Sequence, residues 1–180
     1  MSAGSDRRSS QDDPSTWPSE RLQAFAADAR DRSQLESARV AAQQHAYDAD
    51  QPHDVRRHWA ALSLLANRRM SGGGAEGSAR ALQHDFMLRT WVIEHLGPED
   101  DDSDWNAEAL AADTLAALAL SPSEAATLAT DWRELPLEQI RELRRHKNLT
   151  AHLERLIGHL KPGPTHDRLL QWIEARALLP

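Results

Sequence analysis

Residues 136–160, PLEQIRELRRHKNLTAHLERLIGHL, decide the fold class. Leu137, Ile140, Leu143, His146, Leu149, Leu153, Leu156 and Leu160 recur at steps of three and four, the spacing that lines side chains along one side of an α-helix. Pro136 suits a first helical position, where its missing N–H costs nothing. Lys161-Pro-Gly-Pro164 stops the pattern, because neither proline can continue a helix. The expectation is one continuous helix over 136–160, buried from Leu137 to Leu160 and central to the packing.

The stretch is also basic within an acidic chain. From Arg133 to Lys161, seven Lys or Arg face four Glu, whereas the 180 residues together carry a formal charge of −7. Arg141, Arg144, Arg145, Lys147 and Arg155 form the candidate contact surface. His146 falls on the apolar stripe and is the candidate titratable seam residue. Burial and neighbouring positive charge both favour its neutral form, with a main-chain carbonyl or Glu142 as the expected partner.

Outside this stretch, composition points the same way. Hydrophobic residues make up 40% of the chain and are mostly Ala and Leu, with only three Val and four Ile. Helix formers abound and strand formers are scarce, so an all-α fold follows. The length suits one core-bearing domain. The expected architecture is a single helical bundle of about six or seven helices over residues 19–180, preceded by a disordered tail over 1–18. Trp17 is the one tail residue suited to docking.

Local punctuation places the helices. An Ala-rich segment after Ser19 reads as one long helix or two short ones, ending at Asp48–Pro52. A helix over about 53–70 follows, then a Gly-rich connector over 71–78. Gly72, Gly77 and Ser78 echo a phosphate-binding loop, but the lysine and the preceding strand are missing. The next helix spans about 78–96 and ends at Gly97-Pro98. The acidic loop 99–104 lacks the glycine and closing glutamate of a calcium loop. Asp104 is placed to cap a helix from Trp105 to about Leu118. Ser121-Pro-Ser-Glu124 is a capping box with proline at the first helical position, opening a short helix to about Thr130. A last helix starts near Thr165. The six tryptophans are scattered among these segments, as core anchors are, and not clustered as a base-stacking platform would be.

Catalytic signatures are lacking: there is no G-x-S-x-G elbow and no cysteine. The nine histidines are never three or four residues apart, so no helix presents two of them to one ion. A metal reading would need His84 and His95 to converge with His146 from another helix. No catalytic residue, metal ligand or cofactor is assigned. The reading is a non-catalytic helical protein–protein interaction module, a regulatory or assembly subunit, with a protein partner or self-association, no membrane and a cytoplasmic home. One alternative is a nucleic-acid-binding protein using a helix-turn-helix-like element at about 121–147, against which Glu138, Glu142 and the net charge weigh. The other is a His-containing metal-binding bundle.

Overall fold

A computed structural model describes residues 14–29, 31–72, 74–99, 101–102, 104–151 and 153–180. Among these the chain is all-α, with nine α-helices, two short 3-10 turns and no strand. The helices are α1 (Ser19–Asp28), α2 (Arg32–Tyr47), α3 (His53–Ser71), α4 (Gly74–Leu96), α5 (Ala107–Ala116), α6 (Pro122–Thr130), α7 (Leu137–Thr150), α8 (Leu153–Ile157) and α9 (Pro164–Arg176). They group into two compact units, Met1–Ser78 and Ala79–Pro180, with the division inside the start of α4. No helix among the described residues is long and apolar enough to cross a membrane.

The first unit is built on small residues. Ala38, Ala41, Ala42 and Ala46 of α2 and Ala60, Ser63 and Ala66 of α3 are buried, and the two helices pack extensively. Side chains this short let helix backbones approach closely, while Leu22, Leu35, Trp59, Leu62 and Leu64 supply the bulk. The Ala-rich segment resolves into two helices because Asp31 caps α2, its carboxylate accepting the Gln34 N–H at 2.9 Å. Of the tail anticipated over 1–18, residues 1–13 lie outside the described residues. Pro14–Thr16 form a 3-10 turn, and the Trp17 ring meets Phe25 edge-on at 5.1 Å with the Arg21 guanidinium 4.1 Å from its centre. His45 donates from Nε2 to the Ser15 carbonyl at 2.6 Å, which ties this turn to α2.

The second unit is organised around α9. Leu169, Trp172 and Ala175 are buried, and α9 packs against α5, α6, α7 and α8. Trp172, fully buried, is the largest side chain of a cluster that also holds Phe86, Leu110, Ala125, Leu143 and Leu156. Helix α9 thus shares the centre of this unit with the 136–160 stretch, whose Leu143, His146, Leu149, Leu153 and Leu156 are buried as well. Periodicity shows which face of a helix is apolar, but not how many neighbours will share that face.

That stretch is not one helix, because α7 stops at Thr150 and α8 begins at Leu153. Arg176 of α9 supplies the cause. Its Nη1 donates to the carbonyls of Thr150 and Ala151, the acceptors that a continuous helix would offer to residues 154 and 155. Thr150 adds to the break by bonding back to the His146 carbonyl at 2.8 Å, a habit that bends helices. Leu137, expected on the buried stripe, is 59% exposed, since the first turn of α7 stands clear of the core.

Other boundaries move less. The capping box is as the sequence reads it: Ser121 Oγ accepts the Glu124 N–H at 3.2 Å, and Glu124 accepts the Ser121 N–H at 2.8 Å. Helix α5 starts at Ala107, capped by Asn106 and not by Asp104. Trp105 is buried ahead of it in a turn, its N–H bonded to the Asp102 carbonyl and its carbonyl to the Glu99 N–H. Helix α3 runs to Ser71 and ends at Gly72, whose φ of 82° suits glycine. Helix α4 already starts at Gly74, so Gly77 and Ser78 are helical and form no phosphate loop.

Candidate functional site

Helix α7 has two different sides. Leu143, His146 and Leu149 face the core, whereas Leu137, Arg141, Arg144 and Asn148 recur at three and four residues on the exposed side. Its four candidate contact residues, and Arg155 of α8, are engaged to very different degrees.

Lys147 and Arg155 serve the fold. Lys147 donates to the Leu179 carbonyl at 2.8 Å, just beyond the end of α9. Arg176, in the last turn of α9, reaches the carbonyls ending α7 and also pairs with Glu154 at 2.9 Å. The two helices thus bring their negative C-terminal ends together, and each lends a cation to the other's end. Arg155 holds Glu94 of α4 through both prongs of its guanidinium, with Nε to Oε1 at 2.9 Å. That hydrogen bonding, more than Coulomb attraction, keeps the Glu94 carboxyl below its ordinary range.

The remaining three arginines lie outward. Arg141 pairs with Glu138 one turn back at 2.8 Å, and both side chains are largely exposed. Arg145 pairs with Glu142 at 3.1 Å and also donates to the Ala117 carbonyl at 2.8 Å. Exposed pairs of this kind contribute only a few tenths of a kcal/mol, so the Arg141 guanidinium stays open to exchange partners, whereas Arg145 is also tied to the end of α5. Arg144 is exposed and has no ion pair or hydrogen bond among the described residues. The surface that emerges is Leu137, Arg141, Arg144 and Arg145, interleaved with Glu138 and Glu142.

His146 sits on the opposite side and is fully buried. The Leu120 N–H points at its Nε2 from 3.2 Å, so Nε2 must carry the lone pair. The proton is then on Nδ1, which donates to the Glu142 carbonyl at 2.8 Å. Both nitrogens are satisfied by the neutral ring, and the Trp172 indole lies 5.4 Å away from ring centre to ring centre. His146 thereby fastens the connection between α5 and α6 to α7. The Leu120 partner carries no local sequence signal, because any residue has a backbone N–H.

No group of three or more His, Asp or Glu side chains gathers as metal ligands would among the described residues. His95, one of three histidines offered for such a set, stacks on Trp91 at 5.1 Å and donates from Nδ1 to the Trp91 carbonyl at 2.9 Å. The helix-turn-helix-like element at 121–147 takes the form of α6 and α7 joined by a 3-10 turn at Trp132–Glu134. No family model matches the chain, nor does any curated protein or solved structure.

Proposed function

We propose that this chain is a non-catalytic helical module that binds another protein, as a regulatory or assembly subunit, through the outer side of α7. The observation that carries this reading is the exposed run of Leu137, Arg141 and Arg144 on successive turns. An apolar side chain 59% exposed beside open guanidiniums suits a partner that offers both carboxylates and apolar surface. Arginines of this kind are common interface anchors. A cytoplasmic setting, in keeping with a chain that has no cysteine, is part of the proposal.

Nucleic acid is the competing occupant of the same surface. Glu138 and Glu142 stand among the arginines and would meet phosphate, and a net charge of −7 opposes the electrostatic attraction that dominates such binding. The test compares the wild-type chain with the Arg141→Glu/Arg144→Glu variant, both checked for folding by circular dichroism. A defined protein should be retained by the wild type and lost by the variant, and should bind again when purified. Failure to retain any protein would count against the reading. Binding of a labelled duplex that weakens steeply with salt would replace it with the nucleic-acid alternative.

A further inference from the structure

We propose that His146 is an acid-sensitive latch on the α5–α6 connection. The imidazole is fully buried and bonded at both nitrogens in its neutral form, with Nε2 as the acceptor of the Leu120 N–H. A proton taken up by the Nε2 lone pair turns that acceptor into a donor facing a donor. The Leu120 bond is then lost, and the half-buried backbone there has to find another partner.

The charged ring has a place to turn. Glu142 Oε1 lies 3.4 Å from Nδ1, and the same carboxylate oxygen is 3.1 Å from Arg145 Nη1. In the neutral state Glu142 serves Arg145, while in the charged state the imidazolium competes for it. Glu142, on α7, is the charged group within ion-pair distance of His146 among the described residues, and Arg145 of the same helix reaches it through Glu142. From α9 the imidazole meets the Trp172 indole, and from the α5–α6 connection the Leu120 backbone.

Release is local by construction. Leu120 directly precedes Ser121, the cap of α6, so losing its bond loosens the entry to that helix. Arg145 still holds the Ala117 carbonyl, three residues earlier, and an arginine does not titrate in this range. The segment set free is therefore the short run into α6, while the core around Trp172 stays closed.

Amide hydrogen exchange at Leu120, corrected for the intrinsic pH dependence of exchange, tests the latch. In the wild type its protection should fall about five- to tenfold on acidification from about pH 7.5 to about pH 5. The Leu156 amide in the core should keep its protection. In His146→Gln the side-chain oxygen can accept the same N–H without charging, so the Leu120 profile should flatten. Protection that stays constant in the wild type, or falls equally in His146→Gln, overturns the proposal. Should that variant fail to fold, the wild-type ring nitrogens decide by NMR. A ring still neutral at about pH 5 refutes the latch, and charging in step with the loss of Leu120 protection supports it.

Discussion

Arg155 on α8 and Glu94 on α4, 61 residues apart in the chain, form a two-pronged ion pair in the second unit. The short α8 also buries Leu153 and Leu156, and a planar guanidinium on a carboxylate adds direction as well as distance to that packing. A residue that reads from sequence as surface charge is in fact a tie between two helices.

The Glu94 carboxyl is held below its ordinary range, so its contribution to stability has a definite sign with pH. It is fully present above the ordinary glutamate value of about 4.3 and is lost as pH falls through the lower folded value. Glu94→Gln should therefore destabilise the chain at neutral pH by about 1 kcal/mol, after allowance for partial exposure of both partners. The gap between wild-type and variant urea midpoints should close on acidification, and a gap independent of pH would contradict this assignment.

Trp172 should be the most costly single truncation in the second unit. Trp172→Ala removes the fully buried side chain on which α9 meets its neighbours and should cost about 3–5 kcal/mol. Leu170→Ala on the exposed side of the same helix should change stability by less than about 0.5 kcal/mol. Equal losses in chemical denaturation would show that α9 is not the hub.

The exchange of cations between α7 and α9 predicts coupling. Lys147→Ala and Arg176→Ala should each cost about 1 kcal/mol, and the double variant should differ from their sum because both act where two helix ends meet. Arg176→Ala should also free the Thr150 and Ala151 carbonyls for the amides of Glu154 and Arg155. Those two amides should then exchange more slowly, as α7 and α8 merge into the single helix that the sequence alone describes. Strict additivity together with unchanged amides would refute the account of the break.

Where local chemistry decides, the sequence was readable. Ser121, Pro122 and Glu124 mark the start of α6 because a capping box involves only neighbours, and Ser121→Ala should lower stability by about 1 kcal/mol. Gly97 ends α4 for the same reason. The break after Thr150 was not readable, because its cause lies 25 residues away in Arg176. Nor was the division of labour among the arginines. Arg144 and Arg155 look alike in sequence, and only folding brings Glu94 to one of them. His146 was legible as a buried histidine, since it sits on an apolar stripe, while its bond to the Leu120 backbone was not.

The central claim is that the outer side of α7 contacts another protein. Its most direct measurement places a photo-crosslinking residue at Arg144 in one protein and at Leu170 in a second, in the cells that make this chain. Irradiation should give one defined protein adduct from position 144, absent from position 170 and abolished by Arg141→Glu. Equal adducts from both positions, adducts to nucleic acid alone, or none at position 144 would contradict the account.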